Sequence, residues 1–258
     1  MGSVRHTIDA HVATIVLANE GRMNAMSLSM WRALATTLQA LRADTEVRAV
    51  VLRGEGERAF VSGADISEFD TQRSDPDGFA AYDRAVDAAQ TALSEFPRPV
   101  IAAVGGVCYG GGLGLALACD IRYGAPSSRF RMPAARLGLG YALGGVSRMA
   151  DVLGASQASE MFYTARVYNA DEALRMGLLN SVASDVFAHA QEMAALIAAN
   201  APLTIAAAKL ALLAVRSGRA EAAAPAVERA VQACFESQDY VEGRRAFAEK
   251  RSPLFTGR

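Results

Sequence analysis

The most informative stretch of this chain reads VGGVCYGGGLGLALACD and covers residues 104–120. A strand-like run at 100–104 leads into it, three glycines follow at 110–112, and an apolar helix is predicted after them. Glycine lacks a Cβ, so this backbone can adopt unusual dihedral angles and let a ligand approach its N–H groups. A helix start adds unpaired N–H donors, which suit negative charge on an oxygen. A tight turn that packs a strand against a helix explains the glycines equally well.

A second segment favours the functional interpretation. It reads FVSGADISEF, covers residues 60–69 and follows the strand-like run AVVLR at 49–53. Together with the glycine-rich stretch, it resembles the enoyl-CoA hydratase/isomerase (crotonase) superfamily. The resemblance continues along most of the chain through GRMNAMS at 21–27, FRMPAARLGLG at 130–140, ADEALRMGLLN at 170–180 and the run from Glu242 to Arg251.

The hydrophobic pattern predicts strands alternating with helices, which is typical of parallel pairing with crossover helices. We expect a strand pair over 7–17, a helix over 28–43 capped by Ser27, a polar loop over 71–78 and a helix over 79–95. Further strands are predicted at 48–53, 100–104, 121–123 and 179–182. Everything after Ser184 reads as helical.

The resemblance implies an α/β fold with a crotonase-like ββα spiral. We expect this core over residues 1–184 and a C-terminal helical region over 185–258. In the family those helices mediate trimerisation, so the expected assembly is a homotrimer or a dimer of trimers.

Composition excludes several other classes of protein. The chain has 258 residues, 52% of them apolar, and a net charge of −1, which argues against a nucleic-acid-binding or strongly basic membrane-surface protein. It contains no apolar run long enough for a transmembrane helix and no recognisable signal peptide. Its three cysteines, Cys108, Cys119 and Cys234, include no close-spaced pair, so we expect reduced thiols in a cytoplasmic protein without a metal.

The resemblance also implies a substrate and a way of binding it. Family members hold a thioester carbonyl with two backbone N–H groups, here those of Ala64 and Gly111, which would stabilise an enolate oxygen. No separate cofactor is expected, since coenzyme A arrives as part of the acyl-CoA substrate. The residues carried over for coenzyme A recognition are Arg22, Ala25, Gly63, Asp65, Ile66, Gly110, Phe247 and Lys250.

The chain departs from the family at both positions that carry catalytic glutamates in the hydratases. Gly114 and Ala134 stand there, and neither can transfer a proton. With Met132 and Leu137 they predict an apolar substrate pocket. Efficient hydration by the two-glutamate route is therefore not expected, and double-bond isomerisation is doubtful for the same reason.

Tyr141 is the first candidate to replace the missing acid. Some decarboxylating members carry a tyrosine at a similar place, although Ala64 stands where the best-known of them has a histidine. Arg131 and Arg136 flank the empty acid site and could bind a substrate carboxylate, but solvated or subunit-interface roles are commoner for arginines. Asp65 is expected to cap a short helix, and Asp120 to be structural.

Three functions remain open at this stage. The first is an enzyme that forms an enolate from an acyl-CoA thioester, with decarboxylation of a malonyl-type ester as the best-fitting reaction, because loss of CO₂ needs no base. The second is a weak enoyl-CoA hydratase/isomerase with displaced acid–base residues. The third is a non-catalytic acyl-CoA binding protein.

Overall fold

The computed structural model describes residues 2–68 and 76–258. Its strands are β1 (Ser3–Asp9), β2 (Val12–Ala18), β3 (Ala49–Gly54), β4 (Ala59–Val61), β5 (Val100–Val104), β6 (Val107–Tyr109), β7 (Ile121–Gly124), β8 (Arg129–Arg131), β9 (Tyr168–Asn169) and β10 (Ser181–Val182). Its helices are α1 (Leu28–Ala43), α2 (Pro76–Ser94), α3 (Gly111–Ala118), α4 (Leu143–Leu153), α5 (Ala155–Thr164), α6 (Ala170–Arg175), α7 (Val186–Ala198), α8 (Pro202–Arg216), α9 (Ala220–Glu236) and α10 (Gln238–Glu249).

The strands of the described residues form two sheets. The larger has the order β1-β2-β3-β5-β7-β10, and the smaller has the order β4-β6-β8-β9. In the larger sheet β1 pairs with β2 antiparallel, and the pairs from β2 to β10 are parallel. This mixed α/β architecture with parallel pairing confirms the predicted fold class.

Local sequence signals predicted the bounds of several of these elements to within a few residues. Helix α1 spans the predicted residues, and the Ser27 side chain accepts a hydrogen bond from Met30 N, as expected of its cap. Helix α2 begins at Pro76, three residues before the prediction, because proline is well tolerated in the first turn of a helix. The remainder of the predicted polar loop, 71–75, lies outside the described residues.

The elements after Val182 are helical, as predicted, but residues 251–258 form no helix, so the prediction was wrong for this last stretch. The first of these helices packs against the sheet. Helix α7 packs on β2, β3, β5 and β7, and its small residues Ala190 and Ala194 are fully buried against Ile101 and Ala103. The boundary between residues 184 and 185 stays a prediction. Residues on both sides of this boundary, such as Ile101 and Ala190, share one hydrophobic core.

Helix α8 is tied to the sheet by a buried lysine. Lys209 Nζ donates to Asp120 Oδ2 and to Arg98 O, both at 2.7 Å. Asp120 Oδ2 also accepts a hydrogen bond from Val100 N at 2.7 Å, at the start of β5. These contacts fit the structural role expected of Asp120.

Within the described parts of the chain, no single helix is long and apolar enough to cross a membrane. One bent pair, α7 with α8, passes that test on length and composition alone, with 108° between its two helices.

Candidate active site

The loop after β4 presents the Ala64 amide. Met26 N donates to Gly63 O at 2.8 Å, and Asp65 N donates to Met26 O at 2.9 Å, so the residues on either side of Ala64 are both held by Met26. Among the described residues, Ala64 N itself has no hydrogen-bond acceptor. The loop is therefore fixed while one N–H group is left for a ligand.

Helix α3 presents the second amide. Gly110 caps this helix with φ 49° and ψ −113°, a conformation that a residue with a side chain rarely adopts, and its N–H donates to Arg131 O at 2.9 Å. The next amide, Gly111 N, has no acceptor among the described residues, as expected in the first turn of a helix. A Cβ on Gly111 would lie 3.6 Å from Ala64 N, so the two free amides are neighbours.

Two aromatic residues, Trp31 and Tyr82, contact the backbone around this pair of amides. Trp31 Nε1 donates to Tyr82 Oη at 3.2 Å, and Tyr82 Oη donates to Met26 O at 3.3 Å. Trp31 Cζ2 would lie 3.1 Å from a Cβ on Gly111. Trp31 of α1 thus lies beside Gly111, and Tyr82 of α2 contacts Met26, which holds the loop of Ala64.

The two amides open onto a cavity of about 180 Å³. Helix α2 contributes Asp83, Asp87 and Gln90, and α4 contributes Arg148, none of which the sequence analysis singled out. The 83, 87, 90 spacing places the α2 residues on one helix face, which was the available signal. The remaining lining residues are Trp31, Ala64, Phe79, Tyr82, Val86, Gly111, Leu139, Gly140, Tyr141, Ala142 and Gly145.

The space beside Gly114 is occupied by polar groups of other elements. A Cβ at this position would lie 2.5 Å from Gln90 Nε2 and 3.4 Å from Tyr141 Oη. Gln90 Oε1 accepts a hydrogen bond from Arg148 Nη2 at 2.5 Å. An amide, a phenol and a guanidinium thus converge where the resemblance places one of the two missing glutamates.

Tyr141 is half-buried and lines the cavity. Its ring packs edge-on against Phe162 with centroids 5.5 Å apart, and Gly145 makes room for it, since a Cβ there would lie only 2.3 Å from Tyr141 Cε1. Burial raises the pKa of Tyr141, and the charge of Arg148 offsets part of that effect. The phenol therefore keeps its proton at neutral pH.

The residues carried over for the early coenzyme A segment lie together beside Ala64. Arg22 Nη1 donates to Asp65 Oδ1 at 3.0 Å and to Ser67 Oγ at 2.5 Å. Burial raises the pKa of Asp65, but hydrogen bonds from Ser67 and the charge of Arg22 outweigh it, so the pKa lies below its ordinary value. Asp65 Oδ1 also accepts from Ser67 N, as expected of a cap on the short 3₁₀ helix Ile66–Glu68. Ala25 is buried, and Ile66 is 68% exposed.

Phe247 and Lys250 lie elsewhere in the same chain. Phe247 is 88% exposed at the end of α10, and Lys250 follows as the left-handed C-cap of that helix. Phe247 lines a separate, largely apolar groove of about 800 Å³ between α8, α9 and α10. Within one chain the structure does not bring these two residues to the amide pair.

The remaining predicted pocket residues divide into two groups. Met132 and Ala134 are buried, whereas Leu137 is 62% exposed, and none of the three lines the cavity described above. Arg131 Nε donates to Ala165 O at 2.6 Å, and Arg136 is exposed in the 3₁₀ helix Ala134–Arg136.

Neither Cys108 nor a metal-binding cluster of the described residues adds reactive groups to the site. Cys108 is fully buried, and burial raises the pKa of its thiol, which disfavours the nucleophilic thiolate. In residues 2–68 and 76–258, no group of three or more His, Cys, Asp or Glu side chains is placed to hold a metal ion.

Comparison with known proteins identifies the family. A family model described as enoyl-CoA hydratase/isomerase matches residues 7–258. The chain belongs to the enoyl-CoA hydratase/isomerase family. The sequence resemblance is thereby confirmed, and it extends over nearly all of the residues given.

Relatives within the enoyl-CoA hydratase/isomerase family share about a third of the sequence. The chain is 33% identical to a short-chain-enoyl-CoA hydratase of Clostridium acetobutylicum, with 94% of this chain and 93% of the relative covered. It is 34% identical to a carnitinyl-CoA dehydratase of Salmonella typhi, with 92% of each covered. The solved structure of an enoyl-CoA hydratase/carnithine racemase from Magnetospirillum magneticum has 36% identity and a TM-score of 0.90, over 100% of this chain and 97% of the other.

Proposed function

We propose that this protein is an enzyme that binds an acyl-CoA thioester and stabilises the enolate formed from it. The thioester oxygen would accept hydrogen bonds from Ala64 N and Gly111 N. The observation that carries the proposal is the pair of neighbouring amides, which have no acceptor in the described part of the chain and open onto a cavity. Such preorganised donors stabilise a developing oxyanion without further reorganisation.

Decarboxylation of a malonyl-type thioester is the reaction that this site suits best. Neither Gly114 nor Ala134 has a group that could remove a proton from the substrate, and decarboxylation requires no base. The bond from the α-carbon to the carboxylate breaks, its electron pair forms the enolate, and CO₂ leaves. Tyr141 then gives its proton to the α-carbon and is reprotonated by water.

The remaining parts of the proposal concern coenzyme A and the assembly. Arg22, Ala25, Gly63, Asp65, Ile66 and Gly110 would line the path of the coenzyme, while Phe247 and Lys250 would reach it from a neighbouring subunit of a trimer or a dimer of trimers. The exposure of Phe247 and its distance in the fold from the amide pair support a role between subunits. We expect the enzyme to work in the cytoplasm, where its free cysteines would stay reduced.

A second candidate function is hydration or double-bond isomerisation with displaced acid–base groups. Asp83 and Asp87 favour it, because both carboxylates line the cavity from α2. Both residues are exposed.

A mass-spectrometric screen of the purified protein tests these functions. The panel contains crotonyl-, malonyl-, methylmalonyl-, ethylmalonyl- and β-ketoacyl-CoA. Loss of CO₂ from a malonyl-type ester is the expected result. Rapid gain of water by crotonyl-CoA would instead support the second candidate, and binding without turnover of any ester would make the protein a non-catalytic acyl-CoA binder.

A further inference from the structure

Gln90 stands out because its amide group is buried and has a fixed orientation. The residue is 4% exposed, and its Oε1 accepts the hydrogen bond from Arg148 Nη2. A guanidinium group can only donate, so the oxygen of the Gln90 amide must face Arg148 and the NH₂ group must face away. The contact with Arg148 therefore decides what Gln90 offers to a ligand.

The NH₂ group of Gln90 is free and faces the cavity. It donates no hydrogen bond to any of the described residues. Among those residues, Arg148 Nε is the buried side-chain nitrogen or oxygen that lacks a partner, so the Gln90 nitrogen is not fully enclosed by protein. Since Gln90 lines the cavity, we take its NH₂ group to border that cavity. It lies beside Gly114, with Tyr141 Oη close to the same point. Two neutral groups that can donate hydrogen bonds thus lie close to one place, next to the guanidinium of Arg148.

The charge around this place favours an anion. Arg148 Nε is buried without a hydrogen-bond partner, and no carboxylate of residues 2–68 and 76–258 forms an ion pair with Arg148. Asp83 and Asp87 lie on the same face of α2, but they are exposed, whereas Gln90 is buried. The negative charges therefore belong to the outer part of the cavity, and the donors belong to its inner end.

The distance from the amide pair suits a particular acyl group. Gly114 follows Gly111 by one turn of α3, a separation of about 5–6 Å. A thioester oxygen bound at Gly111 N would bring a carboxylate on the α-carbon to the donors beside Gly114. The geometry points to Gln90, oriented by Arg148, as the residue that recognises the acyl carboxylate of a malonyl-type thioester, with Tyr141 as the second donor.

This inference rests on the proposed function only in taking an acyl-CoA ester as the ligand. Its test therefore measures binding before turnover. Trp31 is the single tryptophan of the chain and lines the cavity, so its fluorescence reports on occupancy in a stopped-flow experiment. The two probes are malonyl-CoA and isovaleryl-CoA, in which two methyl groups replace the two carboxylate oxygens at nearly the same shape.

The decisive variant is Gln90→Glu. The new carboxylate still accepts from Arg148 and so stays in place, but the donors facing the cavity are replaced by a negative charge. Affinity for malonyl-CoA should fall at least tenfold, about 1.4 kcal/mol, while affinity for isovaleryl-CoA changes less than threefold. Equal losses for both esters, or wild-type protein that does not prefer malonyl-CoA, would overturn the assignment.

Arg148 is a positioning residue in this scheme, and two variants test that role. Arg148→Met frees the Gln90 amide to rotate, so the preference for malonyl-CoA over isovaleryl-CoA should fall, and Arg148→Lys should restore part of it. An unchanged preference in Arg148→Met would contradict the role. Selective binding of malonyl-CoA without release of CO₂ would keep the subsite and reject the decarboxylation.

Discussion

Among single residues, Tyr141 has the most specific chemical task. It is proposed to protonate the enolate carbon, and general acids typically contribute 10²–10⁴-fold to a rate. We expect Tyr141→Phe to lower the rate of product formation from bound malonyl-CoA by about 10²-fold, and to weaken malonyl-CoA binding only as far as loss of one of the two carboxylate donors requires. Quenched-flow mass spectrometry of wild-type and variant protein measures this, and an unchanged rate would show that water supplies the proton.

The pH dependence of the same step follows from the burial of Tyr141. Its pKa is raised above the ordinary value of 10.0, so the phenol stays protonated throughout the neutral and mildly alkaline range. The acid form is lost only in strongly alkaline solution, and the rate should therefore stay constant across the neutral and mildly alkaline range and fall at higher pH. A decline centred near pH 7 would assign the proton transfer to another group.

Gly111 allows one of the two proposed oxyanion donors to be removed with a matched control. Proline is tolerated at the first position of a helix and has no N–H group. Gly111→Ala introduces the same contact with Trp31 but keeps the N–H group, so it serves as the reference. We expect Gly111→Pro to lower kcat by about 10²–10³-fold relative to Gly111→Ala. Equal activities would remove Gly111 N from the proposed mechanism.

At the level of helices and strands, the contact of Lys209 with Asp120 holds α8 on the sheet. Lys209→Met leaves the carboxylate and Arg98 O without their partner, which should cost about 2–3 kcal/mol of unfolding free energy. Urea denaturation followed by circular dichroism measures the loss. The double variant Lys209→Met/Asp120→Asn removes the unpaired charge and should recover part of it, and a single variant as stable as wild type would contradict the anchoring role.

The sequence was most informative where an element has a strong local signal. Helix α1 has both a Ser27 cap and apolar residues at helical spacing, and its bounds were predicted as the structure has them. The smaller sheet was missed because β4, β6 and β8 have three residues each, too few for a periodic pattern, and they depend on pairing across distant parts of the chain.

The candidate site was likewise only partly predictable. The family resemblance led to the proposed amide pair, because the motifs that carry it include Ala64 and Gly111. Gln90 and Arg148 could not, since nothing local distinguishes a glutamine on one helix from an arginine on another before the fold brings them within hydrogen-bond distance. Tertiary packing decides which residues fill the space at Gly114, so the sequence alone does not predict them.

For the molecule as a whole, the C-terminal helices and the segment after them carry much of the exposed apolar surface. Leu212, Phe247 and Leu254 are 70%, 88% and 79% exposed, which is costly for a protein in water unless a partner covers them. We expect a particle of three or six chains of 27.2 kDa each in multi-angle light scattering. A monomer at micromolar concentration would contradict the proposed assembly.

The cavity-facing amide of Gln90 also bears on how a catalytic cycle would end. The acyl carboxylate leaves as CO₂, so the product lacks the group that Gln90 binds, and it keeps only the contacts of its thioester and coenzyme. Affinity would then drop with every turnover, at the moment when release is needed. Inhibition by accumulated product should accordingly be weak, and the enzyme could keep working where the decarboxylated ester greatly exceeds the substrate.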